Sequence, residues 1–66
     1  EDRMEAYQQR VVEEKEALDE KIDKLAAFMG TERFCALPED EQLRMIRQRN
    51  VMVEYSGILG ERIAAF

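Results

Sequence analysis

The sequence predicts an all-α protein, an antiparallel helical hairpin with a short helical turn in its connector. Apolar residues recur at steps of three and four over about seven helical turns in the first half of the chain. A single proline followed by three acidic residues then begins a second apolar pattern of similar length. Because two helices in a chain of 66 residues expose too much surface for a self-sufficient core, we expect assembly into a homo-oligomeric helical bundle.

The first helix is predicted over residues 4–29. Its apolar stripe is interrupted once, by Glu14, and otherwise consists of Met4, Tyr7, Val11, Leu18, Ile22, Leu25 and Met29. The repeat is nearer to roughly 3.6 than to 3.5 residues per turn, which assigns Ile22 to the core and places Lys21 on the flank of the stripe. Gly30 is expected to end the helix in the left-handed conformation.

The second helix is predicted over residues 39–63, after a connector at residues 30–38. In the connector, Thr31 can cap a short helical turn, and Pro38 is a favourable first helical residue. The apolar positions of the second helix are Leu43, Ile46, Met52, Val53, Tyr55, Leu59 and Ile63. Gly57 and Gly60 could let another backbone approach closely. A connector this short folds the helices back on each other, so residues 1–66 form one hairpin domain.

Composition limits the classes of partner. The net charge of -5 argues against sequence-independent binding to DNA or RNA. Cys35 is the single cysteine, which excludes an intramolecular disulfide and fits a reduced, intracellular environment. No signal-peptide pattern is expected, and the longest apolar run, residues 25–29, is too short to span a membrane. Met4 is a candidate natural start.

The sequence favours binding over catalysis. It contains no histidine, so the commonest general base is missing and nothing of that type activates Cys35. Metal sites in helical bundles typically use Glu-x-x-His motifs, which this chain cannot supply. The acidic residues of the first helix are interpreted as a solvated face. We therefore expect no enzymatic activity, no cofactor and no metal.

Tyr7 and Lys21 are the main candidates for ligand contacts. They lie fourteen residues apart on one helix, which separates them by about 40° in azimuth and roughly 21 Å along the axis. Tyr7 is either a core aromatic or a platform for a nucleobase. Lys21 either covers apolar surface with its stem or contacts an anion. If both residues contact one small ligand, they come from different copies of the chain.

Three motifs, in this order, carry a family resemblance. They are LDEKIDKLAAF at residues 18–28, F-x-x-LP at residues 34–38, and M-x-x-Y-x-x-x-L-x-x-RI at residues 52–63. The chain resembles the phage anti-CBASS cyclic-nucleotide sponge family, whose hairpin domain is shared with a Thoeris anti-defence sponge. The resemblance implies a protein, typically hexameric, that sequesters cyclic dinucleotides, and in some members trinucleotides, without cleaving them. Such a protein blocks CBASS effector activation in the cytoplasm of the infected bacterial host.

The resemblance also implies ligand-binding positions. The anti-CBASS sponge uses a tyrosine early in the first helix and a lysine fifteen residues later. Tyr7 and Lys21 match in type, but the residue fifteen positions after Tyr7 is Ile22. Arg62, near the same pole as Tyr7, is a candidate for a second anion contact, and Lys24 and Arg10 are further candidates.

Other functions remain open at this point. The Thoeris relatives bind cyclic ADP-ribose isomers, so the resemblance does not fix the ligand. A structural or partner-binding hairpin with no small-molecule ligand is the alternative from another class, using a methionine-rich face. An RNA-binding hairpin is disfavoured by the charge.

Overall fold

The hairpin has two long helices joined by a short one, in a computed structural model that describes residues 5–66. The long helices are α1 (Ala6–Met29) and α3 (Glu39–Ala64), and the short helix is α2 (Glu32–Cys35). No strand occurs in this part of the chain, and the predicted all-α class is confirmed. The long helices run antiparallel, and the hairpin measures 53 × 15 × 14 Å.

At its amino end, α1 begins two residues later than the predicted start. The Glu5 N–H donates a hydrogen bond to the side chain of Gln8 at 2.9 Å, which satisfies one of the free donors at the helix start. The predicted first residue, Met4, lies outside the described residues. At the same end of the hairpin, α3 extends one residue beyond the predicted 39–63.

The end of α1 differs from the expectation for Gly30. Its φ of −91° lies in the ordinary right-handed region, so the prediction of a left-handed cap was wrong. Thr31 makes the turn instead, because its hydroxyl donates to the Phe28 carbonyl at 2.6 Å and accepts from the Phe34 N–H at 3.3 Å. One side chain thus satisfies the last turn of α1 and the first turn of α2.

The connector is fixed by an aromatic contact and by an amide. Phe34 is buried and packs edge-on against Phe28, with ring centroids 6.2 Å apart. The side-chain amide of Gln42 donates to the carbonyls of Cys35 at 3.2 Å and Leu37 at 2.9 Å. These bonds join the end of α2 to the first turns of α3 and close this end of the hairpin.

A polar cluster lies between the long helices. The Lys15 ammonium group donates to Asp19 at 2.8 Å and to the Ser56 hydroxyl at 3.1 Å, and Ser56 in turn donates to Asp19. The hydrogen bond from Lys15, followed by that from Ser56, lowers the pKa of Asp19 below its ordinary value of 3.8. Asp19 therefore departs from the solvated face that the sequence indicated.

The apolar core is small. Among residues 5–66 it consists of Val11, Phe34 and Leu59, of which Leu59 alone is fully buried. Many large apolar residues stay exposed in the described chain: Tyr7, Leu43, Ile46, Val51, Val53, Tyr55, Ile58 and Phe66. The apolar positions predicted for the second helix consequently do not form one stripe against α1. Across residues 5–66, no helix is both long and apolar enough to cross a membrane.

Candidate ligand-binding face

Tyr7 lies on the surface of the hairpin. Its side chain is 51% exposed, and its ring meets Phe66 edge-on, with centroids 5.9 Å apart and planes at 78°. An edge-to-face contact orients a ring while leaving part of it free to stack on another group. Within one chain, Tyr7 is therefore not a core residue, and an exposed aromatic surface lies at the pole formed by the start of α1 and the end of α3.

Lys21 and Ile22 differ in exposure as the periodicity predicts. Ile22 is half-buried, whereas Lys21 is exposed on the flank. Tyr7 and Lys21 share one side of α1, but the helical rise keeps them roughly 21 Å apart. The fold of one chain does not bring these two residues together.

Glu14 lies between Tyr7 and Lys21 on the same side of α1. It accepts a hydrogen bond from the hydroxyl of Tyr55 on α3. The sequence pattern predicted that Glu14 interrupts the apolar stripe of the first helix and that Tyr55 belongs to the apolar positions of the second. Both are exposed instead, and their bond joins the two helices along this side of the hairpin.

The Tyr55–Glu14 bond also sets the register between the helices. In antiparallel helices, seven residues onward from Glu14 correspond to seven residues back from Tyr55, which places Lys21 about level with Gln48. The same step in the other direction brings Arg62 to within about one turn of Tyr7, whose ring contacts Phe66. Arg62 is exposed, so the predicted tyrosine and the predicted second anion contact lie near the same pole of the hairpin.

A groove lies on α3 on the same side as Lys21. It has a volume of about 460 Å³ and is lined by Arg44, Arg47, Gln48, Val51 and Met52. Arg44 is held by Glu41 at 2.9 Å and by Asp40 at 3.7 Å. For Arg47, no ion pair forms with any other residue in the range 5–66. Arg44 and Arg47 are not among the candidates predicted from the sequence, because their proximity to Lys21 depends on the register between the helices.

The other two predicted basic residues lie farther from α3. Lys24 and Arg10 each follow a candidate residue by three positions, Lys21 and Tyr7 respectively, and three residues turn a helix by about 300°. Each is therefore rotated about 60° away from α3 relative to that candidate. Both are exposed, but they border the groove side of the hairpin without lying on it.

Charge is distributed unevenly around the hairpin. We call the side described above the cationic face, and it contains Tyr7, Glu14 and Lys21 of α1 with Arg44, Arg47, Gln48, Val51, Tyr55 and Arg62 of α3. The outer and opposite sides of α1 carry most of its carboxylates, namely Glu13, Glu16, Glu20 and Asp23. An anionic ligand can thus approach the cationic face although the net charge of the chain is -5.

The chemistry of this face suits non-covalent recognition. It offers aromatic surface for stacking and cations for phosphate groups. Within residues 5–66, no group of three or more acidic or cysteine side chains is arranged to hold a metal ion. The candidate residues of this face that the sequence did not identify are Tyr55, Arg44 and Arg47. The helical period could have indicated that Tyr55 lies beside the buried stripe. Four residues turn a helix by about 400°, so Tyr55 is rotated by about 40° from Leu59.

One comparison with known proteins gives a match. A family model described as Sequestin matches residues 5–65, nearly the whole chain. Neither a curated protein nor a solved structure matches the chain. The family description denotes sequestration of a molecule, which is binding and not catalysis, and it agrees with the resemblance to phage sponge proteins.

Proposed function

The chain belongs to the Sequestin family, and on that premise we propose that it binds and sequesters a cyclic nucleotide second messenger without cleaving it. The proposed ligand is a cyclic dinucleotide, with cyclic trinucleotides as a further possibility within the same class. By removing the messenger from solution in the cytoplasm of an infected bacterium, the protein blocks activation of CBASS effectors.

The observation that carries this proposal is the cationic face. It combines the exposed ring of Tyr7 with Lys21, Arg47 and Arg62 on one side of an acidic protein. Tyr7 stacks on a base, a contact that contributes about 1–3 kcal/mol. Lys21 contacts a phosphate, and Arg62, near the same pole as Tyr7, makes a second anion contact. Lys24 and Arg10 strengthen the field at the border of this face.

The ligand is held between copies of the chain. Tyr7 and Lys21 of one chain are roughly 21 Å apart and cannot contact one small molecule together. Antiparallel neighbours can bring Tyr7 of one copy to Lys21 of another, and a two-fold axis supplies each contact twice. A cyclic dinucleotide has near two-fold symmetry, with two bases and two phosphates, and so matches such an interface. The assembly that provides it is a homo-oligomer, and we propose a hexamer.

Calorimetry against a nucleotide panel tests the proposal. The panel contains cyclic dinucleotides, cyclic trinucleotides and cyclic ADP-ribose isomers, because all three combine bases with ring-linked phosphates. We expect saturable heat with at least one cyclic oligonucleotide. If only a cyclic ADP-ribose isomer binds, the proposed ligand class and the proposed action on CBASS are both wrong. If no compound gives heat, sequestration of such messengers is itself overturned.

Recovery of the ligand separates a sponge from a hydrolase. After saturation, the protein is denatured and the released nucleotide is analysed by mass. We expect the intact messenger in the amount that was bound. A linear product would identify the protein as an enzyme, and a protein that binds no nucleotide but retains a host protein would favour the partner-binding hairpin.

A further inference from the structure

Helix α3 carries a second apolar stripe that the hairpin leaves uncovered. We call it the heptad stripe, and it consists of Leu43, Ile46, Asn50, Val53 and Gly57. The steps between these residues are three, four, three and four, the spacing of a coiled-coil seam. Leu43, Ile46 and Val53 are 56%, 36% and 46% exposed. This degree of exposure is unusual for three large apolar residues in coiled-coil register.

The heptad stripe is separate from both other surfaces of α3. Its centre lies about 110° from the stripe that packs on α1 and about 120° from the groove residues of the cationic face. A partner on the heptad stripe would therefore leave the contact between α1 and α3 intact. It would also leave most of the groove accessible, with Arg47, about 40° from Leu43, at the border between the groove and the interface.

The stripe is complementary in size to itself when two copies run antiparallel. With Asn50 opposite Asn50 of the second copy, Leu43 lies opposite Gly57 and Ile46 lies about opposite Val53. A Cβ added at Gly57 would meet nothing within 4 Å, so this position offers open space for a leucine side chain. In a parallel pair, Gly57 would face Gly57 and leave a gap, which lowers the packing energy.

Charge on the edge of the stripe gives a second, independent argument. Arg47 and Glu54 occupy equivalent flanking positions, one heptad apart. Antiparallel pairing about Asn50 places Arg47 of each copy next to Glu54 of the other. Among residues 5–66, neither side chain makes an ion pair within its own chain. Two opposite-charge pairs therefore become available only in the assembly.

We propose that the heptad stripe is an interface with a second copy of this chain, antiparallel and centred on Asn50. The two asparagine amides pair across the two-fold axis and fix the register, as polar residues in such seams do. This two-fold axis lies perpendicular to the plane that contains the two α3 helices. A surface above that plane in one copy is therefore also above it in the other copy. Both cationic faces consequently open on the same side of the dimer. A larger oligomer, such as the proposed hexamer, would need an additional type of contact.

Charge reversal tests the interface without any ligand, so its failure is distinguishable from failure of the proposed function. Native mass and sedimentation of the wild type are compared with Arg47→Glu, Glu54→Arg and the double exchange. Each single change turns two attractive pairs into repulsive ones, and we expect roughly tenfold weaker dimerisation. The double exchange is expected to recover dimerisation. Arg33→Glu, an exposed site of the same charge change on α2, serves as the matched control.

Cysteine cross-linking tests orientation and register. In a Cys35→Ser background, Asn50→Cys is expected to form disulfide-linked dimers on mild oxidation. Leu43→Cys chains are expected to cross-link with Gly57→Cys chains far more than with themselves. Val51→Cys, on the groove side, is the control and is expected to stay largely unlinked. Circular dichroism establishes that each variant is helical.

Three results would overturn the proposal. The first is a wild type that remains monomeric at about 100 µM, a concentration at which even a weak dimer is populated. The second is preferential self-linking of Leu43→Cys, which indicates parallel helices. The third is a double charge exchange that dimerises no better than the single variants, which would show that Arg47 and Glu54 do not meet.

Discussion

The hydroxyl of Tyr55 on α3 donates a hydrogen bond to Glu14 of α1, between the levels of Tyr7 and Lys21. A carboxylate is an unfavourable neighbour for a phosphate, and this bond takes up one of its oxygens. Glu14 is thereby held close to α3 within the face that carries Lys21, Arg47 and Arg62. The pair offers a direct way to alter the potential of the cationic face without removing a proposed ligand contact.

We predict that Glu14→Gln increases affinity for an anionic ligand by about two- to fivefold, because one negative charge near the phosphates is removed. Tyr55→Phe is expected to lower affinity by a similar factor, since it frees the carboxylate. Calorimetry at low salt measures both effects. Glu20→Gln removes an equal charge from the opposite side of α1 and is expected to change little. Equal effects of Glu14→Gln and Glu20→Gln would mean that the ligand senses net charge alone.

Tyr7→Ala is predicted to remove a stacking contact of about 1–3 kcal/mol, while Tyr7→Phe retains most of the affinity. Because Tyr7 is half-exposed and contacts Phe66 at its edge, truncation is expected to leave the helical content unchanged. Binding is measured by calorimetry, and assembly by native mass. A Tyr7→Ala chain that loses its native assembly would assign this residue to packing between copies.

Lys21→Ala and Ile22→Ala form a matched pair of adjacent changes. We expect Lys21→Ala to weaken binding roughly tenfold or more, as for loss of a charged hydrogen bond, with little change in melting temperature. Ile22→Ala is expected to destabilise the hairpin by about 1–2 kcal/mol, because its half-buried side chain packs in the stripe facing α3. Thermal melts and titrations are run on both variants. The reverse pattern would place Ile22, fifteen residues after Tyr7, in the ligand site.

Asp19 predicts a pH dependence of stability. Its pKa is lowered, chiefly by the hydrogen bond from Lys15 and then by that from Ser56. A carboxyl group with a lowered pKa stabilises the fold above its unfolded-state pKa, and this contribution is lost as pH falls through the folded-state value. We therefore expect the wild type to lose stability below about pH 4, and Asp19→Asn to lose less over that range.

Melting temperatures at pH 7 and at about pH 3 check this expectation. At neutral pH, Asp19→Asn is expected to melt below the wild type, and the difference is expected to shrink in acid. Asp23→Asn, an exposed change on the same helix, is the control. If the acid sensitivity of Asp19→Asn equalled that of Asp23→Asn, the interhelical cluster would not be responsible.

The sequence predicted the hairpin well because its strongest signals are local. Pro38 and the acidic residues that follow it identify the start of α3, and the repeat of α1 correctly turned Ile22 inward and Lys21 outward. The prediction of a left-handed Gly30 was wrong because the hydroxyl of Thr31 supplies the cap and no left-handed residue is needed.

The arrangement of α3 could not be derived from its own sequence. Apolar residues surround this helix, and periodicity cannot decide which stripe meets α1. The decision depends on contacts with α1, where the small side chain of Ser56 fits between the helices and binds Lys15 and Asp19. The same register brings Tyr55 to Glu14. The candidate site was therefore predictable in its α1 half and at Arg62, but not at Tyr55, Arg44 and Arg47.

Because three different stripes of α3 each have a role, the sequence of this helix can vary at few positions. One stripe of the helix packs on α1, a second bears the groove, and the third fits another copy, so few of its positions are free to drift. Neutral substitutions should accumulate on the outer side of α1, at positions such as Glu13 and Glu20. On α3, changes should be accepted in compensating pairs, with Arg47 and Glu54 exchanging together across lineages.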